Sequence, residues 1–332
     1  MLVSLTTGAD PGHVSRELVR RGLWVKRLES AAGVHFVVGE HSAQVAFEDL
    51  RGITGVADVA QPTSAHPLVD AQGPTVEVGD RLVGVGAPLA VLAGPCSVES
   101  EEQIHAVAAR VAAAGATLLR GGAYKPRTSP YAFQGHGRPA LRWMVEAARA
   151  HGLGVVTEVL DPGDAEAVAE HADLLQVGSR NMHNHALLRA AAATGKPILL
   201  KRGMAATVEE WLCAGEVCLL HGASGVVFCE RGIRGFDPST RNVLDLGSVA
   251  LLAHALKLPV VVDPSHATGR RDLIPALATA AVSAGAHGLL LETHDDPGTA
   301  LSDGPQALVP DEFDRLLGSL TRPVRPTTGA TS

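Results

Sequence analysis

Four side chains suited to metal binding are spread along the chain: Cys96, His266, Glu292 and Asp303. One thiolate, one imidazole and two carboxylates suit a borderline divalent ion such as manganese, iron, cobalt or zinc, with a position left open for a substrate oxygen. A second set is cationic: Arg120, Lys125, Arg127, Arg180, Lys201 and Arg231. Arginine matches phosphate and carboxylate bidentately, and lysine supplies a point charge or a proton. Each residue alone has an ordinary explanation. Cys96 could be a small core hydrophobe, His266 a turn cap, Glu292 and Asp303 solvated loop acids, and the cations surface charge. Their shared placement directly after apolar runs favours a site, because surface charge would scatter over helices. Six cations converging in a chain of net charge −7 imply a strongly anionic substrate, such as a pair of phosphorylated small molecules.

The elements that must position these residues form a repeat. Apolar runs occur at 89–93, 117–119, 154–157, 174–177, 197–200, 225–228, 259–262 and 288–291. Helical patterns lie between them, as at 101–114, 140–151, 207–220 and 272–284. Eight strand–helix repeats predict a (β/α)8 barrel, an α/β fold that collects its chemistry at the C-terminal ends of its strands. Cys96, Arg120, Glu158, Arg180, Lys201, Arg231, His266 and Glu292 each follow such a run closely. An open doubly wound sheet is the alternative, but no glycine fingerprint follows the first run. Residues 1–64 read differently, as strand, helix, strand, strand, helix, strand. The second of these helices is expected over 42–50 with Ser42 as its cap. That order predicts a small ferredoxin-like α+β unit in front of the barrel. Residues 65–88 then form a linker and barrel-capping hairpin, 89–322 the catalytic barrel and 323–332 a tail, with the linker composition running from Gln61 to Pro74.

Composition narrows the function classes. Hydrophobic residues are 46% of the 332, enough for a large core, while aromatics at 3% argue against a base-stacking surface. The net charge of −7 speaks against a nucleic-acid partner, and no run of about 18 uncharged apolar residues suggests a membrane span. Met1-Leu2-Val3-Ser4 does not open a secretory signal, and the four cysteines show no paired pattern, so a cytoplasmic location is expected. Cys213 and Cys218 read as core or surface thiols and Cys229 as a packing residue; His183 and His185 flank Asn184 at a helix start, where capping competes with ligation; and His13, His35 and His41 read as surface residues.

The loops, read as words, resemble 3-deoxy-D-arabino-heptulosonate 7-phosphate (DAHP) synthases of the type Iβ class. The segments are AGPCSVES (93–100), LRGGAYKPRTSPYAFQG (119–135), VGSRNM (177–182), LLKRGM (199–204), CERGIRGF (229–236), DPSHATGRRDL (263–273) and ETHDDPGTALSDGPQ (292–306), in order across the barrel. The resemblance implies a divalent metal, manganese foremost, on Cys96, His266, Glu292 and Asp303. It implies phosphoenolpyruvate on Arg120, Lys125, Ser179, Arg180, Lys201 and Arg231, and the phosphate of erythrose 4-phosphate on Arg127 and Thr128. Lys125, Glu158 and His266 are then the expected catalytic residues, with Glu158 orienting a water and Lys125 protonating an alkoxide. The resemblance further implies a transferase of the shikimate pathway, a homotetramer, and a front domain that responds to an aromatic amino acid. Two rivals remain: an eight-carbon sugar-acid synthase using arabinose 5-phosphate, which commonly carries a KANRS-like word where this chain has KPRTS, and a non-catalytic aromatic amino acid sensor.

Overall fold

The computed structural model describes residues 1–30, 33–39, 42–43, 45–60, 65–125 and 131–320. Among them the front of the chain folds into a sheet of β1 (Leu2–Leu5), β2 (Val25–Ser30), β3 (Gly33–Val38) and β4 (Val56–Ala60), in the order β2-β3-β1-β4. All its pairings are antiparallel. Helix Pro11–Arg20 starts where Asp10 accepts the Gly12 N–H and Pro11 presets the first turn. Val14 and Leu18 of this helix pack with Val3, Phe36, Leu50 and Val59 in a core of their own. This is the expected ferredoxin-like arrangement. Leu28 is buried in the same apolar cluster as the barrel's outer shell, so the opposite sheet face leans on the barrel.

Two expectations for this unit fail. The second helix is only Phe47–Arg51, without a side-chain cap. The Ser42 hydroxyl instead accepts the Trp24 N–H at 2.9 Å, and the Ala43 N–H bonds the Gly22 carbonyl, so these residues lie against the start of β2. Nor is His35 a surface residue. The two-residue period of β3 sends Phe36 into the small core and His35 to the opposite face, where it is buried with Nδ1 3.0 Å from Ser4 Oγ. His13 is exposed, whereas His41 lies outside the described residues.

Part of the stretch read as linker is packed structure. Helix Pro67–Asp70 buries Leu68 and Val69, whose N–H groups donate to the Glu216 carboxylate on helix Val208–Leu220. Hairpin β5 (Thr75–Val78) and β6 (Arg81–Gly84) follows. Its Val76, Val78 and Val83 join Leu92, Leu118, Leu174, Leu199, Val227 and Leu290 inside the barrel, closing one end.

The barrel consists of eight parallel strands: β7 (Ala90–Gly94), β8 (Leu118–Arg120), β9 (Gly154–Glu158), β10 (Leu174–Val177), β11 (Ile198–Lys201), β12 (Val226–Glu230), β13 (Val260–Val262) and β14 (Gly288–Glu292). It closes through β14–β7 pairing. Sheet buried on both faces explains why these strands read as continuous apolar runs. The outer helices start at readable signals. Ser100 caps Glu101–Ala113, Asn184 caps His185–Ala193, and Thr207 with Glu210 makes a full capping box. Gly94 ends β7 at φ +154, and a Cβ there would stand 2.0 Å from the Arg120 carbonyl oxygen. Only glycine lets β7 and β8 meet so closely beneath Cys96.

Candidate active site

At the C-terminal mouth of the barrel lies a cavity of about 180 Å³. Arg120, Lys125, Arg180, Lys201 and Arg231 all line it, with Glu158, Ser179, His266 and Asp303. Cys96 opens onto an adjoining recess, and Glu292 is fully buried, paired with Arg120 and His266. Strand ends thus converge the two chemical sets predicted from the sequence. Arg127 and Thr128 lie outside the described residues.

The metal-type donors form a tight group. Ligand atoms of Cys96, Glu292 and Asp303 all lie within 4.8 Å of one another. Cys96 Sγ donates to Asp303 Oδ2 at 3.1 Å. His266 meets this group through Glu292, its Nε2 3.2 Å from Oε1. A thiol, two carboxylates and an imidazole so close together fit a divalent ion of intermediate softness. Asp303 reaches its place with a left-handed backbone, φ 49, the kind of strain that concentrates at functional sites. Its loop is tied down by a Ser97–Ser302 hydroxyl pair and by the Leu301 N–H on Glu99.

Behind the donors runs a buried charge relay. Arg120 Nη1 donates to Glu292 Oε1 at 3.0 Å and to the Pro95 carbonyl at 2.9 Å. Glu292 Oε2 accepts from Gln306. Asp263 caps helix Pro264–Thr268 by accepting the His266 N–H, and its second oxygen takes Lys201 Nζ and His266 Nδ1. Burial would raise the Asp263 carboxyl, but His266 and Lys201 hold it well below the usual range. Burial would likewise raise Glu292, yet His266 and Arg120 keep it low. For His266 burial lowers the imidazole, and Asp263 and Glu292 override it, raising the group to about 10. Ligation of a metal would require that proton to leave, since a ligating imidazole is neutral. Lys125 Nζ sits 3.0 Å from both Cys96 Sγ and the Cys96 carbonyl.

The cations are not all neutralised by the protein. Burial lowers the Arg231 guanidinium, and its Nε and Nη1 are buried without a hydrogen-bond partner among the described residues. An arginine held that way beside Lys201 and Arg180 is poised for an anion. Sequence reasoning missed Arg241, Gln176, Asn181 and Met204, which also line the cavity. Arg241 stands ten residues past Arg231, in a loop where no strand end flags it. It is held by its N–H on the Thr268 carbonyl and by room left at Gly269. Asp263, hub of the relay, was legible only as the first letter of DPSH.

The sequence model of the DAHP synthetase I family matches residues 62–323. The chain belongs to this family. A phospho-2-dehydro-3-deoxyheptonate aldolase of Thermotoga maritima is 42% identical over 293 residues, covering 86% of this chain and 85% of that protein. A crystal structure of the Thermotoga maritima phospho-2-dehydro-3-deoxyheptonate aldolase (DAHP synthase) superimposes with TM-score 0.75 and 37% identity, over 96% of this chain and 95% of that one. A 2-dehydro-3-deoxyphosphooctonate aldolase of Rhodopseudomonas palustris is 34% identical over 270 residues, 75% of this chain and 93% of that protein. The DAHP synthetase I family model covers all seven loop words and the whole barrel.

Proposed function

We propose that this chain condenses phosphoenolpyruvate with D-erythrose 4-phosphate, giving DAHP and inorganic phosphate. It is a transferase, and the reaction opens the shikimate route to aromatic amino acids. The observation that carries the reading is a cluster of Cys96, Glu292 and Asp303 beside a cavity that Asp303 lines together with a set of cations, among them Arg231, whose Nε and Nη1 have no partner among the described residues. The heptonate relative's higher identity, over more of this chain, favours the four-carbon aldehyde over arabinose 5-phosphate.

Arg120, Arg180, Lys201 and Arg231, with Ser179, hold the phosphate and carboxylate of phosphoenolpyruvate, and Arg127 with Thr128 holds the phosphate of the aldehyde. Bringing two anions together in one pocket turns a disfavoured encounter into a positioned reaction. A divalent ion on Cys96, His266, Glu292 and Asp303 supplies Lewis acidity toward the aldehyde oxygen when bound. C3 of phosphoenolpyruvate attacks the aldehyde carbon, and Lys125 gives a proton to the new alkoxide. Glu158 orients the water that adds at C2. The resulting hemiketal phosphate collapses with cleavage of the C2–O bond, releasing phosphate and leaving the keto acid.

The front domain, residues 1–64, is proposed to respond to an aromatic amino acid and the enzyme to act as a homotetramer in the cytoplasm. The solved relative's match over 96% of this chain supports a shared two-part architecture. No helix among the described residues is long and apolar enough to cross a membrane. The test is phosphate release from phosphoenolpyruvate with Mn²⁺, offering erythrose 4-phosphate and arabinose 5-phosphate in parallel, with and without EDTA. Release with the four-carbon sugar alone, abolished by EDTA, is expected. Release with arabinose 5-phosphate alone overturns the substrate, and release with neither favours the sensor.

A further inference from the structure

Lys201 and Arg231 face the cavity, but their chain neighbours Arg202 and Glu230 turn away from it into a buried polar knot. Glu230 is fully buried and does not line the cavity. Its Oε1 accepts the Gly232 N–H at 2.6 Å and its Oε2 accepts Arg202 Nη1 at 3.1 Å. The carboxylate therefore straddles Arg231, gripping the backbone on the far side of it. Arg202 is itself fixed, by Asp245 at 2.8 Å, Ser248 at 3.0 Å and the Ala206 carbonyl at 3.1 Å, with its guanidinium over the Trp211 ring at 5.7 Å. The turn is closed from outside as well. Gly232 has φ +94, and a Cβ there would lie 2.7 Å from the Asn242 side chain and 3.0 Å from Ala267 Cα.

Among the described residues no group hydrogen-bonds Nε or Nη1 of the Arg231 guanidinium, and Asp263 acts on it through charge alone. Its direction is set by the backbone that carries it. We propose that Glu230 is a positioning residue which, through the Gly232 N–H and Arg202, aims Arg231 at the anion in the cavity and so sets the affinity for phosphoenolpyruvate without touching it. This rests on the proposed reaction, in which Arg231 holds that substrate. A buried carboxylate paired on both oxygens is rigid, which is what a guanidinium needs to keep its fork in place before the anion arrives.

The experiment is steady-state kinetics of the full chain with Mn²⁺, alongside thermal melts. Wild-type turnover is measured first; its absence overturns the reading of the reaction rather than the role of Glu230. With turnover in hand, Glu230→Gln is expected to raise KM for phosphoenolpyruvate at least tenfold while kcat stays within threefold and KM for erythrose 4-phosphate is unchanged. Glu216→Gln loosens a carboxylate outside this knot, the one that accepts the Leu68 and Val69 N–H groups. It is expected to lower Tm but leave KM for phosphoenolpyruvate within twofold. A KM within twofold of wild type in Glu230→Gln overturns the proposal, as does an equal rise in Glu216→Gln at equal loss of Tm. Should Glu230→Gln not fold, Arg202→Lys keeps the charge but loosens the carboxylate. A threefold or larger rise in KM supports the proposal there, and an unchanged KM overturns it.

Discussion

Glu158 can be displaced without altering its own chemistry, through Gly178. The glycine follows β10 at φ −73 and ψ 158, a conformation alanine adopts freely. A Cβ there would stand 2.0 Å from Glu158 Oε1 and 3.0 Å from Glu158 Cδ, and no other residue is among its nearest contacts. Ordinary contact begins near 3.4 Å, so the carboxylate must retreat by about 1.4 Å. The obstacle is the far end of a flexible side chain rather than backbone, so folding survives. Stability changes little, since Gly→Ala at a compatible position gains about 0.4–1 kcal/mol from the unfolded state. A displacement of about 1 Å at a reacting group costs on the order of 100-fold in rate, about 2.7 kcal/mol of transition-state stabilisation. Gly178→Ala is therefore expected to lower kcat about 100-fold in the phosphate-release assay at saturating substrates. The wild-type melting profile should remain. In a Glu158→Ala background the same substitution should have no further effect, because its only target is gone. Turnover of Gly178→Ala within twofold of wild type, or the same loss in the Glu158→Ala background, would refute the role given to Glu158 at C2.

Three further outcomes follow from the geometry. Cys96→Ala should lower Mn²⁺ affinity, read by titration, and activity at limiting metal together, by more than the 10–100-fold usual for groups that only support a ligand; full activity at limiting metal removes Cys96 from the metal site. Burial lowers the His35 imidazole, so the folded chain binds that proton less readily than the unfolded chain. Its contribution is present above the ordinary histidine value near 6.5 and is lost as pH falls below it. Melts between pH 7.5 and 5.5 should show the stability of the wild type relative to His35→Asn falling on acidification, a comparison that cancels the opposite contribution of His266, which its carboxylate partners raise. Burial pushes the Cys218 and Cys229 thiols up to about 12, so alkylation of the native protein at pH 8 followed by peptide mapping should find both unmodified.

The barrel was legible because parallel strands buried on both faces leave continuous apolar runs, and because polar residues that could do chemistry stood directly after them. The strands match those runs to within a residue or two. The helical patterns at 101–114 and 207–220 likewise begin within a residue of the observed helices, which Ser100 and Thr207 cap. Ser42 shows where such a signal fails. A serine before an apolar stretch is a cap only if its hydroxyl is free, and here Trp24 claims it. Pro67–Asp70 fails in the opposite sense: a proline-rich segment read as linker becomes a docked helix because Glu216, some 150 residues later, accepts its N–H groups.

The site divides in the same way. Residue types and their order along the chain determined which side chains could hold a metal and which could hold anions, since both depend on functional groups that a sequence spells out. Only the closed barrel decided that ligand atoms of Cys96, Glu292 and Asp303 come within 4.8 Å of one another. It also decided that Asp263 binds Lys201 and His266 at once, and that Glu230 works from behind the wall on which Arg231 stands. Those pairings span up to 207 positions and follow from closure between β14 and β7, which local periodicity does not encode. Charge states follow suit, because burial and the partner across the barrel, not the residue type, set how each group holds its proton.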